Sequence, residues 1–506
     1  MMKVLVTGGT GVVGPEVVRR LLRRGHGVRL LSRHASDDRK PFEGDVEAFD
    51  GDIGDAASIR GAADGCDAVI HLAATVAERP PQVTFERVNV EGTRNIVAEA
   101  ERARVQRFVY VSSLGADRGE SEYHRSKKAG EEIARTFSRA WIILRPGNVF
   151  GPGDEQISLL LKMVRTLPVV PLVGKGDDPF QPIWCEDCGE ALAIAAERAD
   201  LAGRELDLAG PELTSMNQVL DRFEAMTDRH PTRIPLPAWI ESTGAKLAAK
   251  FGIETPVNAD QITMVTEGNV IPEGRENALD VLGVKATPLD ESLAKLGDSL
   301  PERLPSEGLG PMHRKIYRAV IRGARLDAEG IIALVRDEFP ELTPRKTVVV
   351  GAEPESPTRI APGATLTMAL PLRGHVQVRV EEVSPRAITL ATLEGHPLAG
   401  AVRFLAEPAP GGDGSVRFEV QTWNRASTLA DLLVMETLGG AIQTYTWTSL
   451  VETLVERSGG RAEKGVEVIR DDPDEREGKA FERWLEELIH RRVRRDDAPA
   501  PAMAAG

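Results

Sequence analysis

The sequence predicts a doubly wound α/β domain with a parallel sheet, followed by an α+β domain, and three observations carry that reading. Short β-branched runs alternate with amphipathic stretches from Lys3 to about Leu144. A glycine-rich turn joins the first run to the first amphipathic stretch. Beyond about residue 311 the pattern changes to successive strand-like runs and then one long apolar-periodic helix. At 506 residues the chain exceeds what one core supports, so a boundary is expected.

The first six strands are expected at Lys3–Thr7, Val28–Ser32, Val46–Asp50, Ala68–Leu72, Arg107–Ser112 and Ala140–Arg145, with helices such as Gly14–Arg24 and Glu91–Arg102 between them. That βαβ rhythm calls for a parallel sheet covered on both faces. From Gly151 to about Leu300, Pro and Gly clusters separate isolated helices such as Glu186–Arg198, Ser215–Met226 and Pro237–Phe251. This stretch reads as a small cap on the same domain, which then spans 1–300. Residues 301–311, rich in Pro and Gly, break every period and are expected to be a linker.

In the second domain, 312–465, strands are expected at Thr347–Gly351, Thr365–Leu370, His375–Glu382, Ala387–Leu393, Val402–Ala406 and Val416–Thr422. A helix over Leu429–Glu456 follows, with Leu432, Leu433, Met435, Leu438, Ile442, Tyr445, Leu450 and Leu454 on one side. An antiparallel sheet gripping that helix is the simplest packing. Residues 466–506 form a final helix and a tail, which is expected to be mobile from Asp496 onward.

The net charge of -14, from 77 acidic against 63 basic residues, argues against a nucleic-acid binder, whose affinity rests on excess Lys and Arg. The N-terminus lacks the regions of a secretory signal, and no run approaches the roughly 20 apolar residues of a membrane span, so a cytoplasmic protein is expected. Three cysteines, Cys66, Cys185 and Cys188, exclude a disulfide framework. Cys185 and Cys188 have half the spacing of a zinc site but no second pair, so they read as buried small residues and no metal is expected.

Gly8, Gly11 and Gly14 stand at three-residue steps where the first strand turns into the first helix. Gly8 permits the tight turn, Gly11 lets backbone approach a pyrophosphate, and Gly14 allows the helix to pack closely on the sheet. The amides from Thr10 through Val12 and Val13 then face the phosphates at the helix N-terminus. This is the dinucleotide loop of a Rossmann domain. Nineteen residues after Gly14, where NAD-binding domains place a carboxylate for the ribose 2′-hydroxyl, the chain has Arg33. A guanidinium pairs with a 2′-phosphate, so the expected cofactor is NADP(H); NAD(H) is the alternative, with Asp37 or Asp38 as acceptor. Asp52 and Ile53 are placed for the adenine, and Leu72, Ala73 and Ala74 leave room beside the cofactor.

These residues, with Asn89-Val-Glu-Gly-Thr93, Tyr110-Val-Ser-Ser113, Tyr123-His-Arg-Ser-Lys127 and Arg145-Pro-Gly-Asn-Val-Phe-Gly-Pro152, resemble the extended and atypical short-chain dehydrogenases. Gln181-Pro-Ile-Trp-Cys-Glu-Asp187 and Asp260-Gln-Ile-Thr-Met-Val-Thr-Glu-Gly-Asn269 resemble the branch similar to the nucleotide-binding accessory subunit of respiratory complex I. The resemblance implies hydride chemistry with Tyr123 as general acid or base, Lys127 supporting it and holding the nicotinamide ribose, and Ser113 polarising a carbonyl, Ser112 being the alternative. Pro146, Asn148 and Val149 would flank the nicotinamide. A tyrosine titrates near pH 10 in water and needs a neighbouring ammonium to work at neutral pH; the four-residue helical spacing supplies one. In the complex I-like branch the same site can hold nucleotide without turnover, which leaves a non-catalytic sensor or assembly factor as the alternative function.

The second domain resembles the helix-grip, or START-like, ligand-binding superfamily, with Ser427-Thr-Leu-Ala-Asp431 opening its long helix and Thr392-Leu-Glu-Gly-His-Pro-Leu-Ala-Gly400 and Val420-Gln-Thr-Trp-Asn-Arg425 as further motifs. The resemblance implies a small hydrophobic molecule or lipid as partner. His375 and His396 are single histidines in loops or strands, and Trp423, Tyr445 and Trp447 line either a pocket or the core.

Overall fold

The computed structural model describes residues 1–42, 46–236, 269–371, 373–410 and 414–497. Its first sheet has seven strands: β1 (Lys3–Thr7), β2 (Gly27–Ser32), β3 (Val46–Asp50), β4 (Ala68–His71), β5 (Arg107–Val111), β6 (Ala140–Pro146) and, after three short strands, β10 (Arg204–Leu208). They lie in the order β10-β6-β5-β4-β1-β2-β3, and every neighbouring pair is parallel. The order reverses between β1 and β4, which opens a crevice at their C-terminal ends, where open α/β sheets bind ligands.

Alternate residues of β1 serve opposite faces of this sheet. Val4 and Val6 pack with Val17, Val18 and Leu21 of helix α1 (Gly14–Arg23), whereas Leu5 packs with Ile96, Val97 and Phe108. Each buried Val or Leu contributes roughly 1.5–3 kcal/mol, so these two cores hold the crevice rigid. Helices α2 (Ala35–Asp38), α3 (Gly92–Arg102), α4 (Glu122–Ala134), α5 (Ile157–Thr166) and α6 (Cys185–Glu197) complete the part of the domain that bears the site. Short strands β7 (Val149–Phe150) and β9 (Ile183–Trp184) pair beside it, as do β8 (Val169–Val173) and β11 (Thr232–Leu236). Of the expected helix Pro237–Phe251, every residue lies outside the described ones. Cys185 and Cys188 are buried in the two cores that meet at α6, and burial pushes both thiols far up.

The second sheet is antiparallel: β12 (Leu309–Arg322), β13 (Val349–Val350), β14 (Thr365–Leu370), β15 (Gly374–Val383), β16 (Ala387–Thr392), β17 (Leu398–Pro408), β18 (Val416–Ala426), β19 (Arg461–Ala462) and β20 (Glu467–Asp471). The order is β13-β14-β15-β16-β17-β18-β12, with β19 and β20 both on β12. Residues 301–311 are not an open linker. Glu302 bridges Leu393, the Arg303 N–H donates to the Thr392 carbonyl at 2.7 Å, and β12 has begun by Leu309. Pro311 is tolerated because the register with β18 breaks between Leu309 and His313, so no ladder donor is required of it.

Tyr317, Phe339, Phe404, Leu450 and Leu454 form the core on one face of this sheet. On the other face the terminal helix, Glu475–Asp497, lays Phe481 flat on Trp423, ring centroids 4.5 Å apart. Trp423 therefore packs against that helix, and Trp447 meets Phe404 edge-on at 5.8 Å. Residues 498–506 of the tail lie outside the described ones.

The helix expected over Leu429–Glu456 has three parts: Leu429–Val434, a π-helical turn at Met435–Gly439, and Gly440–Arg457. The extra residue of a π turn rotates the next helical segment about the axis, so the apolar stripe does not stay on one side. Leu433, Ile442 and Tyr445 are exposed, while Leu450, Val451, Leu454 and Val455 are buried. The Leu438 side chain lies outside the described ones.

The two domains meet along α5. Arg165 gives Nε and Nη2 to the Glu353 carboxylate, at 2.8 and 2.7 Å, and Nη1 to Gln377 at 2.7 Å. Lys162 pairs with Glu394 at 2.7 Å, and His375 Nδ1 lies 3.3 Å from Glu353. Gly374, at φ +70°, lies so close to α5 that a Cβ would fall 2.2 Å from the Arg165 carbonyl oxygen. His396 is buried, with Nδ1 between the Leu398 amide and carbonyl. Among the described residues no helix is long and apolar enough to cross a membrane, and no cluster of metal-ligating side chains occurs.

Candidate active site

The glycine loop is shaped by its neighbours. Gly8 has φ +73°, and a Cβ there would fall 2.7 Å from the Ala73 nitrogen; one on Gly14 would fall 2.3 Å from the Gly8 carbonyl oxygen. At Gly11 the nearest atom of the described residues, its chain neighbours aside, to an added Cβ is the Gly8 oxygen at 3.8 Å, so that backbone borders an open cradle. Val13 caps α1 without a side-chain hydrogen bond, which leaves the first-turn amides directed at the cradle. A dinucleotide pyrophosphate fits a loop of this kind, with Thr10, Gly11, Val12 and Val13 presenting their amides to it.

One buried chain of hydrogen bonds sets the opposite wall. The Ala73 N–H donates to Thr7 Oγ1 at 3.3 Å, and Thr7 Oγ1 lies 2.7 Å from His71 Nδ1. His71 Nε2 lies 3.2 Å from Thr93 Oγ1, which donates to the Asn89 carbonyl at 2.6 Å. Every donor is satisfied only if Thr7 donates to Nδ1 and Nε2–H donates to Thr93, so the chain selects the His71 tautomer. Burial, with the nearby Lys127 charge, pushes His71 down to about 3, so the ring stays neutral. Leu72, Ala73 and Ala74 are thereby held at the end of β4 facing Gly8.

Arg33 follows β2 and is exposed. The competing carboxylates are engaged elsewhere: Asp38 accepts from Ser32 Oγ and Asp37 pairs with Lys40 at 2.6 Å. Asp52 accepts from the Gly54 amide at 2.9 Å and from Arg87 at 2.8 Å, and Ile53 packs against Gly92.

Ser121 caps α4 by accepting from the His124 amide at 3.1 Å, which puts Tyr123 in the first turn and Lys127 one turn further on the same face. Tyr123 is buried between Phe85 and His124, with Ser113 beside it. Burial pushes the phenol up, and the neighbouring Ser113 hydroxyl pulls it back in part. Lys127 is 2% exposed; Nζ donates to the Val111 carbonyl at 2.7 Å and lies 4.8 Å from the centre of the Tyr110 ring. Burial brings it down to about 7, against the opposing pull of Glu131. The two serine alternatives differ in their surroundings: Ser113 lies beside Tyr123, whereas Ser112 Oγ donates to Glu131 at 2.6 Å.

Pro146 ends β6, and Asn148 and Val149 follow it. The Pro146 carbonyl accepts from the Leu114 amide at 2.7 Å, next to Ser113, and the Asn148 carbonyl accepts from Ile183 at 2.9 Å. Val149 is held in β7 opposite Ile183. The predicted site residues thus stand at or just after the C-terminal ends of β1 to β6, with Tyr123 and Lys127 on α4. Sequence reasoning assigned no role to Glu131, Arg145 and Asn89. Glu131, 1% exposed, receives Arg145 through two bonds of 2.7 Å and Arg135 at 2.9 Å, which fixes α4 against β6. Asn89 joins the Thr75 backbone to Ser126 Oγ at 2.9 Å. Glu131 falls four residues after Lys127, so the helical spacing that found Lys127 also carries Glu131.

Residues 4–209 match the model of the NAD dependent epimerase/dehydratase family. The 3 beta-hydroxysteroid dehydrogenase/Delta 5-->4-isomerase of Mycobacterium tuberculosis is 44% identical over 295 residues, which are 50% of this chain and 78% of that protein. The chain belongs to the NAD dependent epimerase/dehydratase family. The chain is also 30% identical, over 56% of its length and 77% of the relative, to NADH dehydrogenase [ubiquinone] 1 alpha subcomplex subunit 9 of Mus musculus. The ceramide reductase of Caulobacter vibrioides is 37% identical over 34% of this chain, and the match spans about half, 54%, of that relative. The family membership makes the first domain an NAD-binding, oxidoreductase-like one. Residues 343–452, in the second domain, match a separate model, the domain of unknown function DUF1990.

Proposed function

We propose that this chain is an NADP(H)-dependent reductase or dehydrogenase acting on a carbonyl or hydroxyl group of a hydrophobic substrate. The observation that carries the proposal is the buried Tyr123 with Ser113 beside it and Lys127 one helical turn along α4. A carbonyl oxygen seated against this pair would receive hydrogen bonds from both hydroxyls. In the reducing direction the Tyr123 hydroxyl gives its proton to that oxygen as negative charge develops, and the Lys127 ammonium stabilises the phenolate left behind. When bound, the nicotinamide supplies or accepts the hydride. Arg33 favours a 2′-phosphate, because Asp37 and Asp38 are engaged elsewhere.

The substrate class draws support from the names of two relatives, a ceramide reductase and a hydroxysteroid dehydrogenase, since ceramides and steroids are both hydrophobic. In this reading the second domain is a helix-grip module that presents a small hydrophobic molecule or lipid to the first.

The test is NADPH oxidation by the full chain across a panel of long-chain and steroidal ketones, followed by absorbance. Tyr123→Phe is expected to lower turnover by about 10²–10⁴-fold while the NADPH Kd stays within about two-fold. Unchanged turnover would remove Tyr123 from the chemistry. Tight NADPH binding with no ketone reduced would replace the enzyme by a nucleotide-binding sensor or assembly factor.

A further inference from the structure

The terminal helix, Glu475–Asp497, belongs to the second domain by packing, yet its last turn lies on the nucleotide half of the first. Two groups near its end make that contact. Asp497 accepts from Arg19 Nε at 2.7 Å and lies 3.6 Å from Arg23, both on α1, the helix that opens at the phosphate loop. Arg494 Nη1 donates to the Lys40 carbonyl at 2.8 Å.

Lys40 is part of the turn that carries Arg33. That turn is knitted throughout: the His34 amide donates to Ser32 Oγ at 3.2 Å, the Ser36 hydroxyl to Asp50 at 3.0 Å, the Arg39 amide to the Ala35 carbonyl and the Phe42 amide to the Arg39 carbonyl, both at 3.1 Å. The Asp37–Lys40 ion pair closes it. Arg19, held by Asp497, also stands 5.8 Å from the centre of the Phe42 ring at the far end of the same turn. The helix therefore touches the Arg33 turn at Lys40 and, through Arg19, at Phe42.

At its other attachment the helix is fixed to the second domain. Arg492 is 9% exposed and donates to Glu381 at 2.8 Å and to Glu302 at 2.6 Å. Phe481 is stacked on Trp423. A helix so anchored acts as a strut between the second sheet and the turn that presents Arg33.

We propose that the end of the terminal helix, through Arg494 and Asp497, is a positioning element for cofactor selection: it holds the Arg33 turn in the arrangement that receives a 2′-phosphate. The proposal rests on the NADP(H) reading above. Because coupling between sites is reciprocal, a 2′-phosphorylated nucleotide would in turn stabilise the docked helix. NADH, which lacks that phosphate, makes no demand on the turn and should be indifferent to the helix.

The test uses the full chain, with NADPH and NADH titrated separately by isothermal calorimetry into wild type, Arg33→Ala, Arg494→Ala, Arg494→Lys and the double variant Arg494→Ala/Asp497→Ala. The double variant is expected to weaken NADPH by about ten-fold, the scale of one or two lost hydrogen bonds, and NADH by less than about two-fold. Arg494→Lys, which keeps a donor and the charge, should recover part of the loss. Equal weakening of both nucleotides, or no change in either, would overturn the proposal, since a merely structural helix shifts both alike. If Arg33→Ala leaves the NADPH to NADH affinity ratio unchanged, the cofactor reading itself fails. If Arg33→Ala lowers the ratio and the double variant does not, only the helix proposal fails. A cooperative thermal transition in each variant confirms that the chain remains folded.

Discussion

Lys127 in the first domain and Arg165 at the domain junction are both buried cations, yet they are treated in opposite ways. Arg165 meets a full set of acceptors: both oxygens of Glu353, the Gln377 side chain and the Gly297 carbonyl. Burial alone would raise Glu353, but hydrogen bonds from His375 and Arg165 hold its carboxyl below the usual range, so the pair stays ionised. Lys127 has one backbone carbonyl and the face of Tyr110, and burial brings it down to about 7. A buried charge with every partner in place is adhesive. One left short of partners is poised to exchange a proton or to greet a ligand, and that shortfall marks the chemical site more sharply than burial does.

The largest effect should come from breaking the adhesive pair. Glu353→Ala leaves the Arg165 guanidinium buried without its carboxylate and is expected to cost about 3–5 kcal/mol of unfolding free energy in denaturant titration. Replacing both partners by apolar residues, Arg165→Met with Glu353→Leu, should restore most of that loss. A cost below about 1 kcal/mol for the single change would show that the junction is wet and the comparison wrong.

Ser112 and Ser113 sharpen the contrast within two adjacent residues. Ser112→Ala removes a donor to buried Glu131 and is expected to cost about 1–3 kcal/mol of stability. Ser113→Ala should leave stability within about 0.5 kcal/mol and act on turnover instead. If both serines behave alike in stability and in ketone reduction, the difference in their surroundings carries no functional weight.

The last effect is a pH dependence, modest within any one pH unit. Lys127 holds its proton to about 7 in the folded chain and to its ordinary 10.5 once unfolded. Between these values the unfolded state binds more protons, so this residue makes the cofactor-free protein more stable as pH rises from about 7 toward 10. The slope is at most about 1.4 kcal/mol per pH unit. Lys127→Met should flatten that part of the stability curve; an unaltered slope would mean that the lysine titrates normally.

The loop Gly8–Gly14 and the pair Tyr123 and Lys127 were legible in the sequence because each depends on local geometry, a left-handed turn in one case and the rise of a single helical turn in the other. Arg33 was legible for the same reason, since it stands where β2 ends. The clamp of Arg145 on Glu131 was not, because it forms between a helix and a strand that meet only after the sheet assembles. Strand β12 was hidden by Gly308, Gly310 and Pro311, which read as breakers, while the irregular register at Leu309–His313 absorbs them. The apolar face of the long helix was misjudged in its first half because a π turn changes the period midway, and nothing in Met435–Gly439 announces it.

Gly374 has a consequence for how this chain could be taken apart. Its missing side chain makes room for backbone belonging to another domain, since an added Cβ would meet the Arg165 carbonyl oxygen and the Arg229 guanidinium. The halves are therefore tailored to each other and are not modules on a string. A foreign copy of the second domain, grafted on with any bulkier residue at that hairpin, would be wedged away from α5 and would forfeit the Arg165–Glu353 contact with it.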